Sequence, residues 1–230
     1  MLKRRFALMT AASFLLSAGV ALARSCTGVE EIGRYKNRFA CPVNGGATVR
    51  PPDACAPKGG GSFQAGRAGN HFHNALDMNA PEKTAVLATK PGKVAIARAN
   101  WQPTGMGSAV IIDHEDGDYS IYGHLDQVKV TEGACVKPGD VVGTVGFTGN
   151  ASCLVEKGLG AHLHFAIIRA AAIGLADPDK LVRGEAPIAK AVKNGNDWLE
   201  LGKEVFPGDI LDLGIKDPEP ILKNVAGCLR

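Results

Sequence analysis

Short apolar segments separated by glycine-containing turns fill the middle of the chain, from Phe63 to about Arg169. Each segment is rich in β-branched residues and has the length of a strand rather than a helix. Turn signals such as Asp116-Gly117 and Pro138-Gly139 lie between the segments. Regularly spaced short strands are typical of antiparallel sheets that fold as a sandwich or an open barrel. The sequence therefore predicts an all-β core, with strands in TAVLA, GKVAIARA, SAVIIDH, YSIYGHL, VVGTVGF and HLHFAII.

Residues 1–23 have the pattern of a signal peptide. The basic run Lys3-Arg4-Arg5 precedes an apolar stretch, and Ala21-Leu22-Ala23 supplies the small residues of a cleavage site. An uncleaved anchor is less favoured because polar residues interrupt the short apolar run. We therefore expect export to the periplasm or the extracellular space, by the Sec or the twin-arginine route, with no stable membrane span after cleavage.

Composition and charge narrow the function classes. Of 230 residues, 45% are hydrophobic and 21% are charged, as in ordinary soluble globular proteins. The formal net charge of +3 includes three cations of the predicted signal peptide, so the remaining chain is close to neutral. Because no basic patch with interleaved aromatic residues is present, nucleic-acid binding is not expected.

Two segments flank the predicted β-domain of residues 63–169. Residues 24–62 form an N-terminal arm in which prolines and the run Gly59-Gly60-Gly61 interrupt regular structure. Residues 170–230 form a partly helical appendage, with helical spacing over 188–206 and a last helix over 219–228.

Six cysteines accompany the predicted export. In an oxidising compartment they predict up to three disulfides, with a connectivity that sequence alone leaves open. The three cysteines of the arm are expected to tie it to the rest of the chain. Among the possible pairs we favour Cys135 with Cys153. No CxxC pair occurs, so a cysteine-based zinc cluster or redox motif is not expected.

Two histidines, His162 and His164, lie two positions apart in the strand-like segment GAHLHFAI. Side chains at positions i and i+2 of a strand point to the same face. We therefore expect both imidazoles to lie in one groove, with Leu163 and Phe165 in the core. Such a pair is suited to metal binding, to proton transfer, or to one of each.

Further candidates for the same site lie in three other segments. HFHNALDM contains His73 and Asp77, four residues apart, and His71 competes with His73. YSIYGHL ends near His124, whereas His114, which follows an apolar run, is interpreted as a structural residue. A catalytic zinc ion takes three ligands from histidine, aspartate or glutamate and leaves a position open. The set is therefore suited to zinc, with the remaining histidines available for proton transfer.

The order of these motifs resembles that of the M23 family of zinc metallopeptidases, the lysostaphin and LytM type. That family pairs an H-x-G-x-D motif with a later H-x-H and has a further histidine between them. Here HNALD corresponds to the first motif, YGHL to the middle histidine and GAHLHF to the last. Gly66-Arg67, DMNAP, GMGSAVIIDH and VKPGDVVGTVGFTG also agree, so the likeness extends from Phe63 to Ile168, close to half of the chain.

The resemblance implies a role for each residue. His73, Asp77 and His164 become the ligands of one Zn²⁺ per chain, and His162 becomes the general base. His124 would stabilise the tetrahedral intermediate and assist proton transfer. The family fold is an antiparallel sheet with a groove, and its members cut peptide bonds in peptidoglycan stem peptides or cross-links.

The sequence departs from the family pattern at two places. Ala75 replaces the usual glycine of the first motif, which predicts a slightly different ligand loop. The segment NASCLVEKGLGA is longer than the usual link before H-x-H and is expected to border the groove.

Two alternative functions stay open. One is a non-catalytic LytM-like protein that binds the cell wall or activates a partner hydrolase. The other is a secreted metallopeptidase that acts on proteins or on foreign cell walls. The peptide bond that is cut and the oligomeric state are not predicted.

Overall fold

The structure is a computed structural model that describes residues 25–35, 38–66, 73–102, 105–169 and 215–230. The predicted signal peptide and the helical spacing over 188–206 lie outside these ranges. The boundaries of the arm, the β-domain and the appendage remain predictions.

Antiparallel strands make up most of the described chain, and the helices are short. The helical segments are α1 (Val29–Tyr35), a 3₁₀ turn (Gly149–Ala151), α2 (Ser152–Glu156) and α3 (Pro218–Lys223). The strands are β1 (Thr48–Val49), β2 (Leu76–Asn79), β3 (Ala85–Leu87), β4 (Gly92–Gln102), β5 (Gly107–Asp113), β6 (Asp118–Gly123), β7 (Leu125–Val128), β8 (Cys135–Val136), β9 (Val141–Val145), β10 (His162–Arg169) and β11 (Ile215–Lys216).

The strands form two open sheets. The larger has the order β1-β2-β10-β6-β5-β4-β8, with β11 paired to β10, and the smaller has the order β3-β9-β7. Neighbouring strands are antiparallel throughout both sheets. An isolated bridge between Gly146 and His162 joins the end of β9 to the start of β10. The prediction of an all-β antiparallel core that does not close into a barrel is confirmed.

β10 shows why the apolar runs become strands. Leu163, Phe165 and Ile167 alternate along it and are fully buried in the main core. The Phe165 ring lies 5.5 Å from the Tyr122 ring of neighbouring β6, measured between centroids. This alternation sets the register of β10, because a slip by one residue would move the histidines into the apolar core. The predicted core positions of Leu163 and Phe165 are confirmed.

The six predicted strand segments correspond to β3, β4, β5, β6, β9 and β10. The short strands β1, β2, β7, β8 and β11 and the helices α1 and α2 were not predicted. These five strands have two to four residues each, too few to show a period of alternation. Tertiary pairing, rather than a local pattern, defines them.

Each cysteine of the arm pairs with a cysteine outside it. The disulfides are Cys26–Cys135, Cys41–Cys228 and Cys55–Cys153. The pairing predicted for Cys135 with Cys153 is therefore wrong. Cys135 lies in β8 at an edge of the large sheet, and the chain then passes through β9 of the small sheet before it reaches α2. Closeness in sequence consequently does not bring the two cysteines together.

The last helix also differs from its prediction. α3 begins at Pro218, behind an N-cap at Asp217 whose carboxylate accepts a hydrogen bond from the Glu219 amide, and it ends at Lys223. Proline is tolerated in the first helical turn, where its missing N–H would have no partner within the helix. Within the described ranges, no helix has the length and apolar character needed to cross a membrane.

Candidate metal centre

Strand pairing brings the predicted site residues together. β10 lies between β2 and β6, and His164 is the cross-strand partner of Asp77 on one side and of Gly123 on the other. His124 follows Gly123 directly, in a left-handed backbone conformation with φ of 59°. The next residue begins β7 of the small sheet, so His124 lies where the chain passes from one sheet to the other, and its ring contacts His162 and His164 at the start of β10. Three separate segments thus supply one cluster.

The three predicted ligands present their donor atoms to one another. His73 Nε2 lies 3.0 Å from Asp77 Oδ1, and His164 Nδ1 lies 3.1 Å from the same oxygen. The two histidine nitrogens are 3.3 Å apart. All three side chains are buried, with no more than 4% of each side chain exposed.

These separations fit a tetrahedral metal ion. Ligand atoms about 2.1 Å from a central zinc lie about 3.4 Å from one another at tetrahedral angles. The observed values of 3.0 to 3.3 Å are close to that edge length. Two imidazole nitrogens and one carboxylate oxygen are also a donor set that zinc accepts while keeping a fourth position open.

The tautomer of His73 supports the same conclusion. Its Nδ1 lies 3.0 Å from the Ser62 carbonyl, to which it donates a hydrogen bond. In the neutral ring, Nε2 then carries a lone pair that faces the Asp77 carboxylate. Two acceptors at this distance repel each other unless a cation or a proton lies between them. The ring is therefore suited to bind a metal ion through Nε2, with its other nitrogen fixed by the backbone.

The Asp77 carboxyl is held in its charged form. Burial by itself would raise its pKa, but His73, His162 and the contact with His164 outweigh burial and hold the pKa well below its usual value. A deprotonated carboxylate is the form that binds a metal ion.

The other two histidines lie against the ligands and are uncharged. Burial lowers the pKa of His162 to about 4, although Asp77 acts in the opposite direction. Burial, together with the rings of His162 and His164, holds the pKa of His124 well below its usual value. The His124 and His162 ring centroids are 4.8 Å apart. Two neutral imidazoles therefore border the three donor atoms.

The ring nitrogens of these two histidines have different partners. His124 Nδ1 donates a hydrogen bond to the Thr148 carbonyl at 2.8 Å, which leaves its Nε2 as an acceptor in the neutral ring. His162 Nε2 lies 3.6 Å from Asp77 Oδ1. His162 Nδ1 is buried and has no hydrogen-bond partner within the described ranges. His162 thus retains capacity to exchange a proton.

Small residues at two positions allow the close packing. At Gly123 an added Cβ would lie 3.4 Å from the Cβ of His164 and 3.3 Å from that of Met106, which is tighter than ordinary contact. Ala75, which stands where the family has glycine, is fully buried and has an ordinary negative φ. The alanine methyl is therefore accommodated without a left-handed backbone.

Of the two remaining histidines, the structure separates His114 from this cluster, whereas His71 lies outside the described ranges. His114 is buried, and its ring contacts the Pro91 carbonyl at 2.9 Å and Ser120 Oγ at 2.9 Å. This placement agrees with a structural role.

Sequence reasoning missed three residues that hold the site residues in place: Ser62, Thr148 and Arg50. Two act through backbone carbonyls, which carry no side-chain signal in the sequence. Arg50 reaches Asp77 from the arm, 27 residues away. Its only local signal is the i, i+3 spacing to Asp53, with which it forms an ion pair.

Comparison with known proteins identifies the family. The family model for peptidase family M23 matches residues 71–174. The catalytic domain of an M23 protein, EnpA from Enterococcus faecalis, is 30% identical, and the match covers 43% of this chain and 68% of that domain with a TM-score of 0.37. The chain belongs to peptidase family M23. This assignment confirms the resemblance drawn from the three histidine motifs.

The relatives of this chain include both a peptidase and an activator of other hydrolases. A DD-carboxypeptidase/endopeptidase, Mpg from Neisseria meningitidis, is 34% identical over 94 residues, which are 41% of this chain and 19% of Mpg. The murein hydrolase activator NlpD from Escherichia coli is 33% identical over 106 residues, which are 46% of this chain and 24% of NlpD. The part of this chain that matches Mpg and a second relative, the cell division protein DipM from Caulobacter vibrioides, spans about a fifth of the length of each.

Proposed function

We propose that this M23 chain is an exported zinc-dependent endopeptidase that hydrolyses peptide bonds in peptidoglycan stem peptides or cross-links. The observation that supports this most is the complete cluster, in which three donor atoms lie at tetrahedral spacing beside two neutral histidines. A protein that only binds peptidoglycan has no need of this whole set. The relative Mpg, a DD-carboxypeptidase/endopeptidase, supports the same class of reaction.

In this proposal His73, Asp77 and His164 hold the zinc ion. When bound, zinc supplies a Lewis acid that polarises a peptide carbonyl and makes water more acidic. With one carboxylate and two neutral imidazoles as ligands the centre keeps a net positive charge, which favours the negative charge that develops on the carbonyl oxygen.

The two remaining histidines divide the proton transfers. His162, neutral and beside Asp77, accepts the proton of the attacking water as general base. His124, whose Nδ1–H is held by the Thr148 carbonyl, receives that proton at Nε2 from His162, whose ring centroid lies 4.8 Å away. In this protonated form His124 stabilises the tetrahedral intermediate and passes the proton to the leaving amine. The burial of both rings excludes bulk water from these steps.

Dye release from labelled sacculi tests the proposed activity. The mature protein, beginning after Ala23, should release dye, and a chelator should abolish the release until zinc is restored. His162→Ala should release no dye with zinc present. Release that is unchanged by the chelator or by this substitution would contradict the proposal.

A second function is favoured by the likeness to the hydrolase activator NlpD. In that case this chain would bind a partner hydrolase or the cell wall without cleaving it. An amidase added to the same assay separates the two functions. Dye release that needs the amidase and persists in His162→Ala would support activation. Release by the protein alone would support peptidase activity.

A further inference from the structure

The arm is built into the metal centre through the backbone of Asp77. The Arg50 amide donates a hydrogen bond to the Asp77 carbonyl at 2.9 Å, and the Asp77 amide donates to the Gly61 carbonyl at 2.8 Å. The Gly61 amide donates in turn to the Arg50 carbonyl at 2.8 Å. A Cβ at Gly61 would lie 2.5 Å from the Asp77 Cβ, so only glycine permits this approach. Arg50 and Gly61 thus enclose the main chain of one predicted ligand.

The Arg50 side chain extends this contact to the Asp77 carboxylate. Arg50 is 7% exposed, and its Nη1 lies 3.4 Å from Asp77 Oδ2, whereas His73 and His164 contact Oδ1. Its Nε and Nη2 each donate to an oxygen of Asp53 at 2.7 Å. The guanidinium therefore bridges two carboxylates, one of them in the metal centre.

Asp53 and a disulfide fix the position of the guanidinium. Asp53 Oδ1 accepts hydrogen bonds from the Cys55 amide at 2.8 Å and the Ala56 amide at 3.0 Å. Cys55 is bonded to Cys153 in α2. A continuous set of contacts thus leads from α2 through Asp53 and Arg50 to Asp77.

We propose that Arg50 is a positioning residue of the metal centre, which holds Asp77 so that Oδ1 faces the two histidine ligands. The inference rests on the proposed zinc site. Arg50 precedes residues 71–174, so it lies outside the part of the chain that matches the family. The arm is then part of the site and not only a segment attached to the β-domain.

Arg50 has two opposing effects on zinc affinity. Their balance decides whether removal of the arginine weakens or strengthens zinc binding. A fixed carboxylate loses less conformational freedom when a metal binds, and partners of metal ligands contribute about 10–100-fold to metal affinity. The guanidinium charge also repels a dication. At 3.4 Å the contact with Asp77 is longer than a strong charge-assisted hydrogen bond, so little ligand charge is withdrawn. We therefore expect positioning to outweigh repulsion.

Zinc affinity of the full mature chain, measured by competition with a chromophoric chelator, tests the inference without any activity assay. Arg50→Ala should bind zinc about 10–100-fold more weakly than the unsubstituted protein. The zinc affinity of Arg50→Lys should lie between these two values, because lysine keeps the positive charge but cannot donate hydrogen bonds to both carboxylates at once. Arg98→Ala removes an arginine from the exposed ion pair with Glu132 and should leave the affinity unchanged.

The outcomes separate this inference from the proposed function. If the unsubstituted protein binds no zinc, the proposed function fails and the inference fails with it. If it binds zinc and Arg50→Ala binds as tightly or more tightly, only the inference is overturned. If circular dichroism shows that Arg50→Ala does not fold, the Asp53→Asn variant is used to test the inference instead. This variant keeps Arg50 but weakens the ion pair that holds its guanidinium in place. Weaker zinc binding by Asp53→Asn supports the inference, and unchanged binding overturns it.

Discussion

At the scale of single residues, His162 and His164 share one strand face and have different partners. His164 Nδ1 lies 3.1 Å from Asp77 Oδ1 and 3.3 Å from His73 Nε2. His162 lies 3.6 Å from the same carboxylate and beside His124. The spacing H-x-H predicts the shared face, but the partners depend on the strands on either side of β10.

Substitutions of these two histidines should therefore impair different properties, zinc binding in one case and turnover in the other. His164→Ala should lose most of its bound zinc because a ligand is missing. His162→Ala should keep about one zinc per chain and lose about 10²–10⁴-fold in turnover, as expected for removal of a general base. Metal content by inductively coupled plasma mass spectrometry and turnover of a muropeptide substrate measure the two effects. Equal zinc content in both variants would contradict the division of roles.

His114 provides a separate prediction about stability and pH. Burial lowers its pKa to about 4 in the folded protein, although the hydrogen bond to the Pro91 carbonyl acts in the opposite direction. Because the folded pKa lies below the unfolded one, the neutral ring stabilises the fold above about pH 6.5, and this contribution is lost as the pH falls toward 4. A shift of this size corresponds to roughly 3 kcal/mol in the free energy of unfolding.

Urea unfolding of His114→Gln and the unsubstituted protein at pH 7.5 and 4.5 measures that contribution. Histidines common to both proteins cancel in the comparison. The free energy of unfolding should fall less with acidification in His114→Gln. An equal fall in both proteins would show that His114 does not titrate in this range.

At the scale of elements, β10 has two functions on its two faces. One face presents His162 and His164, and the other places Leu163 and Phe165 in the core. A strand with this alternation was predictable because its period is visible in eight residues. β1 was not predictable, since its two residues are too few to show a period and are defined as a strand by their pairing with β2.

Phe165→Ala should lower the free energy of unfolding by about 3–5 kcal/mol, because it leaves a cavity beside Tyr122. Val155→Ala is a matched control, since Val155 in α2 is 58% exposed, and its effect should stay within about 0.5 kcal/mol. Chemical denaturation measures both values. A loss below about 1 kcal/mol for Phe165→Ala would contradict the central core position of β10.

At the scale of the whole molecule, hydrogen bonds and an ion pair connect the described parts of the arm and of the C-terminal segment to the β-core. The backbone amides of Cys26 and Thr27 donate to the Glu115 carboxylate, and Lys216 forms an ion pair with Asp118 at 2.7 Å. Sequence indicated that the arm is tied down through its cysteines. It did not indicate the partners, because those are set by the order of strands in both sheets. Arg50 was missed for the same reason.

Peptide mapping under non-reducing conditions tests this arrangement of the chain. Digestion of the mature protein should release peptides that join Cys26 to Cys135, Cys41 to Cys228 and Cys55 to Cys153. A peptide joining Cys135 to Cys153 would contradict the placement of the arm across the β-core.

The central claim is that the cluster around His164 cleaves peptide bonds with the help of zinc. Mass spectrometry of purified cross-linked muropeptides, incubated with the mature protein with and without a chelator, tests it most directly. The account predicts new products whose combined mass exceeds that of the parent muropeptide by one water. These products should form in the absence of the chelator, should not form in its presence, and should form again when zinc is added back. Muropeptides that remain intact with zinc-loaded protein, or products that form equally in the chelator, would contradict it.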